Sequence, residues 1–340
     1  MKTTWLLNTN SDPLGAARQF LHNLWVYAGL EGMLLPVYQA EGAGVSPSLV
    51  TNPGDLARAD PFAPLVTINA ARLVSHLVDT HPGARMAVVM RPCEVRALRW
   101  LVDQGGLSMG EWLVIGVDCL ASYPAADFEW RVHKSGAVES LTRETLRFAR
   151  HGGIAPYRYR HACQMCAYTA AQDADLNIEL LGLPVKQHVL VTARNEQIAS
   201  QLHLHKFTDG VAPPALVTQR RSMLSGLVAR RQRALERTTQ AISPEAPADV
   251  GGLLRHIANC APCLECLGAC PIYTSDFMSS YNSSAEPFRE AKRWLQACVS
   301  CGMCEEACPK HLPLTAIISR INRRIQEMPA PDVYPVGIAS

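Results

Sequence analysis

Twelve cysteines stand in a chain of 340 residues, and eight of them fall between Cys260 and Cys308. Those eight are evenly stepped. Cys260, Cys263, Cys266 and Cys270-Pro271 read C-x2-C-x2-C-x3-C-P, and Cys298, Cys301, Cys304 and Cys308-Pro309 repeat the spacing. This is the run with which bacterial ferredoxins hold [4Fe–4S] clusters. Three thiolates at i, i+3 and i+6 wrap three corners of one cubane, and the fourth, just ahead of proline, reaches the neighbouring cluster. A zinc ribbon needs two separate C-x2-C pairs and four ligands in all, which is a different pattern. The chemistry expected of this segment is one-electron transfer, in which thiolates hold and tune a cluster and do no acid–base work.

The other four cysteines are scattered. Cys93 follows an apolar run in Arg91-Pro92-Cys93-Glu94, Cys119 closes another in Gly116-Val117-Asp118-Cys119, and Cys163 and Cys166 form a single C-x2-C. Taken singly, Cys93 and Cys119 read as small buried apolar residues. Cys163 and Cys166 read as a dithiol in a context unlike that of thioredoxin. Taken together they are four sulfurs that converge if the two apolar runs are adjacent strands, which makes a third cluster site. Spacing alone leaves these readings open.

The elements that must position these thiols are legible in outline. Met86 to Met90, Trp112 to Val117 and His188 to Thr192 are short apolar runs that read as buried strands. A helix is expected after Arg91, with Pro92 at its first turn, where the missing N–H has no intrahelical partner. Strands alternating with helices give an α/β fold on a mostly parallel sheet for residues 1–215. Gly105-Gly106 and Gly152-Gly153 mark turns. Residues 216–249 form a basic helical linker: Arg220, Arg221, Arg230, Arg231, Arg233 and Arg237 face only one acid, Glu236, before the proline-bearing stretch Ile242 to Ala248. A solvated face and a docking surface for an acidic partner are both readings of that helix. Residues 250–328 make an all-α domain around the eight stepped cysteines. In it Leu314, Ile317, Ile318, Ile321 and Ile325 mark an amphipathic helix, and residues 329–340 form a tail.

Composition excludes several classes. Lys plus Arg number 32 against 30 Asp plus Glu, so no basic coat for nucleic acid is present. No apolar run reaches the roughly 18 residues of a membrane span. The N-terminus turns polar within eight residues, unlike a signal peptide, so a cytoplasmic location with reduced thiols is expected. There is no G-x-G-x-x-G after a strand and no Walker A motif. His151, His161, His203 and His205 read as surface or core histidines, with His203 and His205 spaced as on one face of a strand. Asp173 and Asp175 read as a loop before a strand.

Residues 85–185 resemble the beta subunits of deazaflavin (coenzyme F420) reducing hydrogenases and of the related formate dehydrogenases. The resemblance rests on Arg91-Pro92-Cys93-Glu94-Val95-Arg96-Ala97-Leu98, on Gly116-Val117-Asp118-Cys119, and on Cys163-x2-Cys166 with Ala174-Asp175-Leu176 and Gly182. It implies a [4Fe–4S] cluster on Cys93, Cys119, Cys163 and Cys166, an FAD beside it, and a hydride carrier, F420 or NAD(P)H, as the two-electron partner. Asn69, Arg91 and Arg96 are the flavin-binding candidates it suggests. The family usually carries a Gly-Gly-x-x-Thr stretch near its start, whereas the corresponding region here reads Ala63-Pro64-Leu65-Val66-Thr67-Ile68-Asn69-Ala70-Ala71-Arg72. Residues 258–326 resemble the helical two-cluster ferredoxin domain of heterodisulfide reductase and succinate dehydrogenase iron–sulfur subunits. A second resemblance, to the A subunit of anaerobic sulfite reductases, implies the clusters without the flavin. Both imply an electron-transfer subunit that works with a catalytic partner of the formate dehydrogenase, hydrogenase or heterodisulfide reductase kind.

Overall fold

A computed structural model describes residues 3–39, 44–152, 158–260, 263–273 and 287–327. The N-terminal half is built on one seven-stranded sheet in the order β1-β7-β6-β5-β4-β2-β3. The strands are β1 (Thr4–Asn8), β2 (Gly32–Tyr38), β3 (Val45–Val50), β4 (Met86–Met90), β5 (Leu113–Val117), β6 (Leu176–Glu179) and β7 (His188–Ala193). The four central strands, β2, β4, β5 and β6, pair in parallel. The pairings of β3 with β2, β7 with β6 and β1 with β7 are antiparallel. The sheet is therefore mixed, with a parallel centre, and β7 is one of its antiparallel members.

Apolar alternation assigns the two faces. Val89, Ile115 and Ile178 point toward helix α1 (Pro13–Ala28), whose Leu14, Phe20, Leu21 and Leu24 are buried with them. Val88 and Val114 point the other way, onto α2 (Ala70–Thr80) and α3 (Pro92–Asp103) through Val74, Val95 and Leu98. Strands covered on both faces read as continuous apolar runs, which is why β4 and β5 stand out in the sequence.

Beyond the sheet, α4 (Ala125–Ser135) and α5 (Val138–Leu146) cover the segment after β5. A buried acid, Asp60, ties them to the sheet. Its carboxylate accepts from the Tyr38 hydroxyl at 2.7 Å, from the Thr142 hydroxyl and from the Phe62 N–H at 3.1 Å. Burial lifts the Asp60 carboxyl above its ordinary value, against the pull of these donors. Asp60→Ala strands the donors and is expected to cost about 1–3 kcal/mol. Because the folded value is raised, Asp60 contributes fully below about pH 4 and progressively less as pH rises through the raised value. Asp60→Asn should therefore gain on the wild type toward neutral pH, read from denaturation midpoints across that range.

The basic helix α8 runs from Pro214 to Ala241 and is not simply a solvated linker. Arg220 and Arg231 are each only 6 % exposed, while Arg221, Arg230, Arg233 and Arg237 face solvent. Arg220 clamps Asp118 with two hydrogen bonds, at 2.6 and 3.0 Å, and meets Glu179 at 2.8 Å. Arg231 donates to the Gln164 carbonyl at 2.7 Å. The proline-bearing stretch that follows is also held, since Arg320 donates to the carbonyls of Ala246 and Pro247.

The regular elements of the C-terminal part are all helices among its described residues: α9 (Val250–Cys260), α10 (Glu265–Gly268), α11 (Pro287–Gln296), α12 (Met303–Glu306) and α13 (Leu314–Glu327). The apolar stripe of α13 is buried as its periodicity requires, with Ile317, Ile318, Ile321 and Ile325 packed on Val250, Leu253 and Leu295. The tail at 329–340 lies outside the described residues. No helix among them is long and apolar enough to cross a membrane.

Candidate functional site: three groups of cysteines

The parallel centre of the sheet delivers the first two thiols. Arg91 follows β4 directly and is the N-cap of α3, with Pro92 at the first helical position. The Glu94 carboxylate accepts from the Arg91 N–H at 2.8 Å and from the Ala70 N–H at 3.0 Å, tying the starts of α3 and α2 together. Arg-Pro-Cys-Glu is thus a helix start that presents Cys93 at the end of its strand. One strand along, Asp118 follows β5 and accepts from the N–H groups of Leu180 and Leu181 at 2.7 and 2.9 Å. That fixes the backbone from which Cys119 projects, and the Cys119 N–H donates to the Thr169 carbonyl at 2.8 Å.

Helix α6 (His161–Gln164) and the turn after it bring Cys163 and Cys166 to the same place. Cys119 lies within electrostatic reach of both, and Cys93 of Cys119. The four scattered cysteines are therefore neighbours in the fold. Burial, reinforced by the neighbouring sulfurs, pushes the Cys119 thiol up to about 12 and lifts Cys93 and Cys166 as well.

In the C-terminal part the two stepped runs exchange their last members. Cys270 lies with Cys298, Cys301 and Cys304, not with its own run, and these four line one enclosed cavity. Burial raises Cys298 to about 11 and Cys301 to about 12. Reciprocally, Cys266 lies within electrostatic reach of both Cys308 and Cys263, and Lys310 Nζ approaches Cys260 Sγ at 3.9 Å. Cys263 is the exposed cysteine among the twelve. No group of three or more His, Cys, Asp or Glu side chains among the described residues is arranged to hold a single metal ion. Four thiolates round a cubane each meet a different iron, so they do not converge on one point as zinc ligands do.

Of the three flavin candidates, two are built into the fold. Asn69 is 1 % exposed, and its side-chain oxygen caps α2 by accepting from the Ala71 N–H at 3.1 Å. Arg91 is 6 % exposed and donates to the Ala63 carbonyl. Arg96 is placed differently. It donates to the Val299 carbonyl, stacks over the Tyr168 ring at 4.1 Å, and lines a cavity of about 350 Å³. That cavity shares Ala170, Gln172, Leu224 and Val228 with a second one of about 720 Å³ floored by Asn177, Glu179 and Thr192. Together they form a groove between α8 and the sheet. Thr169 Oγ1 and Asn177 Oδ1 are buried along it without a hydrogen-bond partner. The sequence hides this groove, because its walls come from separate stretches of the chain, among them residues 92–96, 167–179 and 217–232.

The remaining polar candidates serve the fold. Asp175 pairs with Arg194 at 3.0 Å in the loop before β6. His203 precedes a single 3₁₀ turn (Leu204–Lys206) and His205 lies within it, so the pair is not on a strand. His161 meets Glu305 at 2.8 Å, joining the two halves of the molecule.

No protein-family model matches the chain. Among solved structures, a chain from the F420-reducing [NiFe] hydrogenase complex of Methanosarcina barkeri, studied as a xenon derivative, aligns with 71 % of this chain and 92 % of its own length. The identity is 13 % and the TM-score 0.49.

Proposed function

We propose that the chain is an electron-transfer subunit of a multisubunit oxidoreductase and that its twelve cysteines hold three [4Fe–4S] clusters. The observation that carries this reading is that Cys270 lines one cavity with Cys298, Cys301 and Cys304 of the other run, while Cys266 has Cys308 as a near neighbour across the runs. Thiols raised by burial and by one another do not ionise together unless a bound cation compensates them, and cysteine ligates as the thiolate. Clustered iron supplies that charge, and when bound it gives each site the capacity to take up and release one electron.

The protein sets the order of the sites. Cys93 is within electrostatic reach of Cys301, so the N-terminal group adjoins the group of Cys270, Cys298, Cys301 and Cys304. The exchanged cysteines join that group to the one of Cys260, Cys263, Cys266 and Cys308. Exposed Cys263 makes the last group the end at which a catalytic partner of the formate dehydrogenase, hydrogenase or heterodisulfide reductase kind would exchange electrons. The thiolates do no proton chemistry in this scheme.

FAD belongs to the same reading, at the groove beside Cys166. Arg96 and Tyr168 offer a cation and a ring face at its mouth, and the unpartnered Thr169 and Asn177 offer hydrogen bonds along it, in a volume that suits a cofactor. Bound there, a flavin would divide the electron pair of a hydride carrier such as F420 or NAD(P)H into single electrons. Asn69 and Arg91 have no part in that placement. The alternative is a flavin-free conduit like the sulfite reductase A subunit.

Iron, sulfide and flavin per chain in anaerobically purified protein decide between them. Three cubanes give about twelve irons. Twelve with one FAD is the expected result. Twelve without flavin, and none taken up on reconstitution, supports the conduit. About eight irons and no flavin removes the N-terminal site.

A further inference from the structure

The contact between the two halves of the molecule is made at the cysteines themselves. Gly302 lies between Cys301 and Cys304 with φ +69°, and a β-carbon there would come within 2.3 Å of the Ala162 side chain, next to Cys163. Only glycine allows that approach, which brings the loop of one cysteine group onto the helix of the other. At the same junction sits Arg160, 4 % exposed. Its Nη2 donates to the Gly302 carbonyl at 2.7 Å, both Nη atoms lie 3.7 Å from Met303 Sδ, and its Nε meets Glu306 at 3.2 Å. Cys163, Cys301 and Cys93 all lie within its electrostatic reach.

Arg160 thus belongs to both halves. A buried cation is costly to desolvate and persists where negative charge faces it. Glu306 is one such charge, but it is partly exposed and also accepts from the Ala125 N–H at 2.9 Å. With clusters bound, the sulfurs of two cysteine groups, through Cys163 and Cys93 of one and Cys301 of the other, would supply the remaining negative charge that faces the guanidinium.

We propose that Arg160 is a positioning residue for electron transfer between the two halves: it fixes the Gly302 loop against Cys163 and raises the reduction potentials of the two flanking clusters together. This rests on the three-cluster reading. A positive charge in a low-dielectric site stabilises the more negative, reduced state of each neighbour, and net charge is among the quantities that set cluster potentials. Shared by both neighbours, it shifts the two in the same direction and leaves the step between them little changed. No cysteine of the outer group is among the charges that act most strongly on Arg160.

The test is a redox titration of the full chain followed by electron paramagnetic resonance, with the N-terminal signal identified as the one missing in Cys163→Ser. Arg160→Met removes the charge and keeps the bulk. Two of the three potentials should fall, by about tenfold in the reduction equilibrium, or 59 mV for one electron, with the third unmoved. Arg160→Lys should restore them. Glu306→Gln, at a partly exposed position, leaves the guanidinium unopposed, and the same two potentials should rise. It also tests the proposal should Arg160→Met fail to fold. Equal shifts in all three potentials, or no shift in Glu306→Gln, overturn the proposal. Fewer than about twelve irons in the wild type instead overturns the reading on which it rests.

Discussion

Arg220→Ala is expected to lower the unfolding free energy by about 3–5 kcal/mol, the range seen when one partner of a buried ion pair is removed. Asp118 and Glu179 both direct carboxylates at this guanidinium, and Arg220 also donates to the Leu181 carbonyl at 3.0 Å. Burial lifts the Glu179 carboxyl and Arg220 opposes that lift. Without Arg220 two acids remain facing each other in an enclosed site. Against a typical total of about 5–15 kcal/mol, the loss is severe. The effect should extend to iron, because the carboxylate that Arg220 clamps sits next to Cys119 in the chain. Denaturant midpoints and iron content measured on the same preparation check both parts. A change below about 1 kcal/mol, the level of an exposed pair, would show that the network does not hold α8 to the sheet.

Cys163→Ser is expected to cost one cluster and leave two, a fall from about twelve irons to about eight. A hydroxyl is a hard and weakly acidic donor, while iron–sulfur clusters select soft thiolate. Cys163 sits on a short helix that no stepped cysteine shares, near Cys119 and Cys166, so the loss should stay in the N-terminal half. Cys301→Ser is the counterpart, with its loss confined to the C-terminal pair. Unchanged iron in Cys163→Ser would mean that Cys93, Cys119, Cys163 and Cys166 form no site.

Much of this arrangement is legible in the sequence because it is local. The stepped cysteines announce their chemistry by spacing, α13 by its apolar period, and β4 and β5 by unbroken burial. The hairpin of β2 and β3 is hidden because each strand carries a proline, Pro36 and Pro47, set opposite each other, and proline argues against a strand. Arg220 and Arg231 look solvated in a helix so rich in arginine, since their partners lie 39 or more residues away. The same holds for Arg160: nothing near it in the chain announces Gly302, 142 residues later. Long-range pairing leaves no local pattern, and it is what builds the junction, the groove and the clamp on Asp118.

The exchange of Cys270 and Cys308 bears on how the protein is made. Synthesis proceeds from the N-terminus, and domains tend to fold as they emerge. The cysteines from 93 to 166 are all present once the first half has left the ribosome, so that site can be completed early. Neither C-terminal site can. The run that begins at Cys260 waits for its fourth thiol until residue 308 has been added, and the second run depends on a residue of the first. On the proposed assignment, a chain truncated anywhere between the two runs carries the four thiols of Cys260, Cys263, Cys266 and Cys270 and no finished C-terminal centre. The two centres are then assembled as one object, late and together.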